Sequence, residues 1–299
     1  MQAVDDPWLR KQGVHLDILR LDTIHPTISG NKWYKLKYNL RRAQQEGYDT
    51  LLTVGGAYSN HIYAMAAAGR AYGFHTIGLI RGEAHQPLNP TLRFAQDQGM
   101  QLHYLSRDEF RQLRNNDNFL IELQQRFGRH YYLPEGGANA LAVRGCTEIV
   151  PADMDHDYVA CCVGTGGTLA GITISTAGRA KVLGFSALKG SFLSEEVDRL
   201  TQQYSGCTYD HYQLVSDYHF GGYARVKPPL IDFINRFYRA TEIPLDPIYT
   251  GKMMYGLYDM IEQEHFAAGD QILAVHSGGL QGVAGFNERY ARQGMSIKF

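Results

Sequence analysis

The chain has 299 residues, 44% of them hydrophobic and 20% charged, with a formal net charge of −1 at pH 7. This length allows about two domains with a substantial core, and the near-neutral charge speaks against a nucleic-acid partner or an anionic membrane surface. Because residues 1–10 are too polar for a signal peptide and no apolar run reaches the roughly 18 residues that span a bilayer, we expect a cytoplasmic protein without membrane contact.

A lysine follows a flexible turn near the start of the chain. Lys32 comes directly after Ser29-Gly30-Asn31, at the beginning of a predicted helix. A lysine that is desolvated in a cleft is nucleophilic near neutral pH, which is what a Schiff base with a carbonyl cofactor requires. Lys35 and Lys37 follow closely, so a solvated surface helix is the alternative interpretation.

From residue 50 onward, short apolar runs alternate with turns of small residues and helical patterns. Strands alternating with helices of this length predict βαβ units and a parallel sheet. The first series has predicted strands at 50–54, 76–80, 101–105 and 130–133, and predicted helices at 59–73, 90–99 and 117–127.

A second series begins at residue 158, and Pro134-Glu135-Gly136-Gly137-Ala138-Asn139 is the best boundary between the two. Its predicted elements are strands at 158–163, 181–185 and 271–275 and a helix at 169–177. Cys161 and Cys162 lie in the first of these strands, where buried thiols are expected, and the four cysteines show no metal-binding spacing. Residues 204–229, rich in Tyr, Asp, His and Gly, are interpreted as loops that carry site residues.

The turn Gly164-Thr165-Gly166-Gly167-Thr168 joins a predicted strand to a predicted helix. Glycines and a helix N-terminus direct backbone N–H groups to one point, which makes a phosphate cradle; a simple tight turn is the alternative. The dinucleotide pattern GxGxxG fails because its sixth position is Leu169, and the chain contains no P-loop GxxxxGK. A single phosphate on a compact cofactor fits better.

Ser59-Asn60-His61 follows Gly55-Gly56 at another helix start. Ser59 can cap that helix, or the exposed N–H groups with Ser59 and Asn60 can hold a substrate carboxylate. A serine hydrolase would need a Gly-x-Ser-x-Gly elbow, which this segment lacks.

Two further segments carry polar groups next to predicted helices. Ser277, in His276-Ser277-Gly278-Gly279, offers a hydroxyl to a cofactor ring nitrogen, although another strand-to-helix turn explains the segment equally well. Tyr249 offers a phenol for acid/base work, and core packing is the alternative. Because ligands of open parallel sheets bind beyond the carboxyl ends of the strands, these turns are expected to face one cleft.

Five motifs in order resemble the 1-aminocyclopropane-1-carboxylate deaminase/D-cysteine desulfhydrase family of pyridoxal-phosphate enzymes. They cover nearly the whole chain and are Gly30-Asn31-Lys32-x-x-Lys35-Leu36, Gly55-Gly56-x-x-Ser59-Asn60-His61, Gly164-Thr165-Gly166-Gly167-Thr168, Asp246-Pro247-x-Tyr249-x-Gly251-Lys252 and His276-Ser277-Gly278-Gly279. The resemblance implies a two-domain α/β fold of the tryptophan-synthase-β type. It also implies a large cofactor domain from residues 1–35 and 149–299, a small inserted domain at 36–148, a homodimer, and no metal.

The resemblance also implies roles for individual residues. Lys32 would form the Schiff base with pyridoxal 5'-phosphate, and the glycine turn of residues 164–168 would hold the phosphate. Asn60 would contact the ring hydroxyl. The substrate would be bound by Ser59, Asn60 and His61, and the catalytic residues besides Lys32 would be Ser59, Tyr249 and Tyr223.

One departure from the family bears on the substrate. Cyclopropane deaminases of this group have a glutamate after the catalytic tyrosine, paired with the pyridine nitrogen, whereas this chain has Thr250. A neutral partner, Thr250 or Ser277, makes the cofactor a weaker electron sink. This favours β-elimination from a small amino acid with a good leaving group, D-cysteine above all.

Two alternatives stay open. One is ring-opening deamination of 1-aminocyclopropane-1-carboxylate, for which Thr250→Glu is expected to raise activity. The other is a cofactor-binding protein without turnover, against which the intact Ser59, Asn60 and Tyr249 argue.

Overall fold

The protein, seen in a computed structural model that describes residues 1–114, 118–190 and 192–299, is built from parallel sheets flanked by helices. The expected α/β class is therefore confirmed. Its ten described strands are β1 (Gln2–Ala3), β2 (His15–Arg20), β3 (Thr50–Gly56), β4 (His75–Arg81), β5 (Met100–Leu105), β6 (Tyr131–Leu133), β7 (Tyr158–Val163), β8 (Lys181–Ser186), β9 (Tyr212–Val215) and β10 (Gln271–His276).

Twelve α-helices are described between these strands. They are α1 (Pro7–Gln12), α2 (Asn31–Gln45), α3 (Asn60–Tyr72), α4 (Pro90–Asp97), α5 (Arg107–Arg114), α6 (Phe119–Phe127), α7 (Ala140–Cys146), α8 (Gly167–Thr176), α9 (Phe192–Ser205), α10 (Pro228–Thr241), α11 (Thr250–Glu262) and α12 (Gly282–Tyr290). Within the described ranges, none of the helices is long and apolar enough to cross a membrane.

Two sheets organise these elements. The larger has the strand order β1-β2-β10-β7-β8-β9, and only β1 runs antiparallel to its neighbour. The smaller has the order β5-β4-β3-β6 and is entirely parallel. The first pairs strands from both ends of the chain, since β2 lies directly beside β10.

Helices cover both faces of each sheet, which explains why the central strands are continuously hydrophobic. In β7, Ala160 and Cys162 face α10, α11 and α12, whereas Val159 and Cys161 face α7, α8 and α9. In the smaller sheet α2, α3 and α4 cover one face, and α5 and α6 cover the other. The predicted burial of Cys161 and Cys162 is confirmed.

The strands predicted from the apolar runs are confirmed to within about two residues at each end. The interpretation of residues 204–229 as loops is wrong at β9, a four-residue strand at the edge of the larger sheet. Of its residues only Val215 is buried, so no hydrophobic run marked it. Asp117, the first residue of a predicted helix, lies outside the described residues, and that helix is described from Phe119.

The domain boundaries at residues 35/36 and 148/149 stay a prediction. Strands β3 to β6 lie between them and the other strands lie outside. Helix α2 runs across the first boundary, and Leu36 and Leu40 on it pack in the core of the smaller sheet.

Candidate active site

A cavity of about 1060 Å³ opens beyond the carboxyl ends of β3, β7 and β10. All three turns singled out in the sequence contribute to its wall, as does the amino-terminal end of α2. The described lining residues include Lys32, Lys35, Ser59, Asn60, His61, Gly164, Thr165, Gly166, Thr168, Tyr223, Tyr249 and Ser277.

Lys32 stands at the start of α2, which is fixed against the turn after β10. Gly30 has φ +69°, and a Cβ built there would lie 1.9 Å from the Ser277 carbonyl oxygen, so only glycine fits. The Asn31 N–H donates to that same carbonyl at 3.2 Å. The first turn of α2 is thereby fixed against the turn after β10, at the cavity wall.

The amine of Lys32 is tuned for nucleophilic chemistry. Its Nζ donates to Asn31 Oδ1 at 2.8 Å, and burial, helped by the positive charge of Lys35, lowers the pKa of the Lys32 amine to about 7. Desolvation disfavours the ammonium form, so a large share of this amine is neutral at physiological pH.

Lys35 is a site residue to which sequence reasoning gave no role. It is 3% exposed, and its Nζ donates to the Gly136 carbonyl at 3.1 Å and to Thr165 Oγ1 at 3.3 Å. A Cβ on Gly167 would approach Nζ to 3.5 Å. The available signal was the spacing, since residues three apart share one face of a helix.

The glycine turn joins β7 to α8 in a conformation suited to an anion. Gly166 has φ +74°, and α8 begins at Gly167. Thr168, at the same helix end, accepts a hydrogen bond from Asn31 Nδ2 at 2.8 Å. Unpaired N–H groups of a helix N-terminus, with the Lys35 ammonium beside them, favour bound negative charge.

Ser59 fulfils the capping role and also lines the cavity. Its Oγ accepts the N–H groups of His61 at 3.2 Å and Ile62 at 3.3 Å, so the hydroxyl hydrogen remains available to a ligand. Asn60 Oδ1 accepts from Gln281 Nε2 at 2.5 Å. This bond directs the Asn60 amide and ties α3 to the segment before α12.

His61 presents a buried acceptor without a protein partner. Thr53 Oγ1 donates to the Leu133 carbonyl at 2.8 Å, so His61 Nε2, at 3.1 Å, is assigned as the donor to Thr53. Burial, followed by the charges of Lys32 and Lys35, lowers the pKa of His61 to about 3. Nδ1 therefore carries a lone pair, and none of the described side chains satisfies it.

Tyr249 and Tyr223 form a pair in the wall of the cavity. Their ring centroids lie 6.2 Å apart at an interplanar angle of 64°, and a Cβ on Gly164 would lie 3.5 Å from the Tyr249 hydroxyl oxygen. Burial raises the pKa of Tyr249 well above its ordinary value, and a hydrogen bond to Tyr223 adds to this. Desolvation raises the pKa of Tyr223, although 38% of this residue is exposed, and the same hydrogen bond opposes that rise.

Two residues selected from sequence, Gly167 and Thr250, are not among the described residues of the cavity wall. Thr250 is fully buried. Its hydroxyl donates to Asp246 Oδ1 at 2.8 Å, and the Thr250 hydroxyl oxygen accepts the Asp246 N–H at 2.9 Å. The Asp246 carboxylate also accepts the N–H groups of Ile248, Tyr249 and Thr250. Asp246 thus holds the turn that leads into α11, since it accepts the N–H of Thr250, the first residue of that helix, and of the two residues before it. Sequence reasoning missed this role.

In the described part of the chain, no cluster of three or more His, Cys, Asp or Glu residues is arranged to hold a metal ion. The cavity wall carries the carboxylates of Glu135, Glu195 and Glu196 as well as amines, hydroxyls and amides. At the glycine turn the groups are the Lys35 amine and the N–H groups of the α8 N-terminus, which favour a bound anion.

Comparison with known proteins agrees with this geometry. Residues 10–278 match the family described as pyridoxal-phosphate dependent enzyme. A Pyrococcus horikoshii protein provisionally named 1-aminocyclopropane-1-carboxylate deaminase is 27% identical over 293 residues, 94% of this chain and 89% of that protein. A mitochondrial Arabidopsis thaliana protein named bifunctional D-cysteine desulfhydrase/1-aminocyclopropane-1-carboxylate deaminase is 28% identical, over 91% of this chain and 74% of that one.

Among solved structures, one described as a homologue of ACC (1-aminocyclopropane-1-carboxylate) deaminase superposes with a TM-score of 0.86. It is 26% identical in sequence, and the match covers 97% of this chain and 92% of the other. The resemblance drawn from the five motifs is thereby confirmed.

Proposed function

Since the chain belongs to the pyridoxal-phosphate dependent enzyme family, we propose that it is a lyase that removes ammonia from a small amino acid, with D-cysteine as its preferred substrate. Relatives named deaminase and desulfhydrase match over more than nine-tenths of the chain. The observation that carries the proposal is the buried Lys32 amine in the cavity wall, which is hydrogen-bonded to Asn31, whose amide donates to Thr168 of the glycine turn.

The residues present fit the cofactor. The glycine turn, the N-terminus of α8 and the Lys35 ammonium would hold the phosphate, Lys32 would react with the aldehyde, and Asn60 would face the ring hydroxyl. The Lys35 amine, 3.3 Å from Thr165 Oγ1 in the glycine turn, is the observation that supports a bound phosphate there. When bound, the cofactor supplies an electron-withdrawing ring that stabilises negative charge at the substrate Cα.

The chain's own groups then supply binding and proton transfer. The Ser59 hydroxyl and the N–H groups at the start of α3 would hold the substrate carboxylate. The neutral Lys32 amine would remove the Cα proton, and the Tyr223–Tyr249 pair would give a proton to the departing sulfur. Overall, D-cysteine and water give pyruvate, ammonia and hydrogen sulfide.

The preference for D-cysteine over the cyclopropane acid is supported by the neutral groups near the expected ring position. Ser277 lines the cavity and is 9% exposed, whereas the Thr250 hydroxyl is hydrogen-bonded to Asp246. We therefore place Ser277, and not Thr250, at the pyridine nitrogen. A hydroxyl there does not keep the nitrogen protonated, so a substrate with a good leaving group is favoured.

A substrate panel tests the proposal. Purified enzyme with cofactor is given D-cysteine, L-cysteine, D-serine or 1-aminocyclopropane-1-carboxylate, and ammonia, sulfide and 2-oxo acid are measured. We expect equal amounts of pyruvate and sulfide from D-cysteine, at the highest kcat/KM of the panel, and no product from Lys32→Ala. A higher kcat/KM for 2-oxobutanoate formation from the cyclopropane acid would reverse the substrate assignment. Cofactor binding with no ammonia from any substrate would identify a non-catalytic binding protein.

We further propose a cytoplasmic homodimer. The resemblance to the family supports the dimer.

A further inference from the structure

The segment that carries Tyr223 has an unusual backbone. Phe220 and Ala224 have φ values of +55° and +54°, and between them Gly221 and Gly222 have φ values of +101° and +118°. A positive φ is unfavourable for a residue with a Cβ, and Phe is a bulky residue to place there. The segment from His219 to Ala224, called here the tyrosine loop, therefore needs contacts from outside to keep its shape.

Lys252 supplies such contacts from the first turn of α11. It is 2% exposed, and its Nζ donates to the carbonyls of His219 at 2.9 Å and Gly222 at 3.0 Å. These two carbonyls bracket Phe220 and Gly221. In the described part of the chain Lys252 forms no ion pair with a carboxylate, so the loop carbonyls are the groups that hold this ammonium.

These hydrogen bonds are of the stronger kind. Burial lowers the pKa of Lys252 to about 8, which leaves the ammonium mostly protonated at pH 7. Hydrogen bonds from a charged donor are roughly twice as strong as neutral ones. A buried ammonium that lost these acceptors would carry an uncompensated desolvation cost, so the loop and the lysine hold each other in place.

The same helix end controls both members of the tyrosine pair. Tyr249 is the residue directly before α11, and its N–H donates a hydrogen bond to the Asp246 carboxylate. Tyr223 contacts Tyr249 through the ring packing and hydrogen bond described above. The relative placement of the two phenols thus depends on one helix, through Asp246 for one and through Lys252 for the other.

We propose that Lys252 is a positioning residue that holds the tyrosine loop so that Tyr223 meets Tyr249 and faces the substrate. It touches neither substrate nor cofactor and acts through the two loop carbonyls. The expected consequence for turnover rests on the proposed function, whereas the consequence for the loop does not.

A double-mutant comparison tests the effect on turnover. Lys252→Met keeps the length of the side chain and removes the donor, and we expect kcat for D-cysteine to fall at least 10-fold with a smaller change in KM. If Lys252 acts through Tyr223, the pair Lys252→Met/Tyr223→Phe is no slower than Tyr223→Phe alone. Multiplied losses in the double variant would overturn the assignment, because they would show that Lys252 acts independently of Tyr223.

Limited proteolysis of the holoenzyme tests the loop itself. Arg225 is exposed at the end of the tyrosine loop, so trypsin reports loop opening as a fragment of residues 1–225. We expect this fragment to form at least 5-fold faster in Lys252→Met than in wild type. The matched control is Lys181→Met, an exposed lysine at the start of β8, which should leave the cleavage rate unchanged.

The outcomes separate the two proposals. An unchanged rate of cleavage at Arg225 in Lys252→Met contradicts the positioning role, even if activity falls. Absence of turnover in the wild type contradicts the proposed function and leaves the cleavage result to decide the positioning role. Should Lys252→Met fail to fold, Lys252→Gln, which keeps an N–H donor, is expected to give an intermediate cleavage rate, and a wild-type rate would overturn the proposal.

Discussion

At the scale of single residues, the site depends on two buried amines three positions apart. Lys32 faces the cavity floor, and Lys35 is directed to the glycine turn by Gly136 and Thr165. Burial, followed by the positive charge of Lys35, lowers the pKa of Lys32, and burial lowers the pKa of Lys35. We propose that one helix turn thus provides both a nucleophile and an anion-binding charge.

The pKa of Lys32 leads to a pH prediction. In cofactor-free protein only the neutral amine attacks an aldehyde, so the rate of reaction with pyridoxal 5'-phosphate should rise with pH and level off above about 7. Below that pH it should fall close to tenfold per unit. Stopped-flow absorbance measures the rate, and Lys32→Ala should show no such phase. A rate still rising tenfold per unit at pH 9 would mean that the amine is solvated.

Thr250 gives a second residue-scale prediction, which revises the expectation from sequence. A glutamate at this buried position would lose the hydroxyl bond to Asp246 and place a second carboxylate beside it. We expect Thr250→Glu to lower the free energy of unfolding by about 3 kcal/mol or more, without gain of cyclopropane-acid activity. Thr250→Ser, which keeps the hydroxyl, should lose less than about 1.5 kcal/mol.

Urea unfolding measures both variants. A stable Thr250→Glu enzyme with raised activity on the cyclopropane acid would show that this side chain reaches the cofactor ring.

Motif recognition selected the residues of the three turns that line the cavity but could not rank their contacts. Thr250 and Ser277 were equivalent in sequence because each is a neutral hydroxyl near the start of a predicted helix. Only the fold shows that the Thr250 hydroxyl is hydrogen-bonded to Asp246. The role of Lys35 was hidden for a related reason, since its acceptor Gly136 lies 101 positions away.

At the scale of elements, the junction between α2 and the turn after β10 is the most constrained contact in the site. The junction requires a positive φ at Gly30 and leaves no room there for a side chain. Sequence alone showed a flexible Ser-Gly-Asn turn and could not show that the Ser277 carbonyl lies against it. Strand β9 was missed for a comparable reason, because its pairing with β8 leaves little trace in hydrophobicity.

Substitutions at two glycines distinguish the cost of a positive φ from the cost of a steric clash. Gly30 and Gly47 have φ values of +69° and +65°, but a Cβ on Gly47 would meet nothing within 4 Å. Gly47→Ala should therefore cost only the left-handed conformation, about 1–2 kcal/mol. Gly30→Ala should lose several kcal/mol of stability or shift α2 and weaken cofactor binding at least 10-fold.

Thermal unfolding and cofactor titration distinguish these variants. Equal losses in the two would show that the contact between Gly30 and Ser277 does not constrain the site.

At the scale of the whole molecule, the alternation of strands and helices predicted two series of βαβ units, and the structure has two parallel sheets. The order of strands within them was beyond reach of the local pattern. That β2 lies beside β10 depends on pairing between segments more than 250 residues apart, which no periodicity encodes.

The proposed homodimer is tested at this scale. Sedimentation velocity of the holoenzyme should give one species of twice the 33.6 kDa chain mass, unchanged over a hundredfold range of concentration. A single species at the mass of one chain would contradict the homodimer and leave the cavity, which one chain lines, unaffected.

The hydrogen bond from Asn31 to Ser277 also bears on biosynthesis. A ribosome makes Lys32 about 245 residues before Ser277, whose carbonyl accepts the N–H of Asn31 at the start of α2. Domains often fold as units while the nascent chain emerges; here the larger sheet must await β10. Prematurely terminated chains that lack this last strand would therefore expose an unbraced amine and should fail to capture the coenzyme.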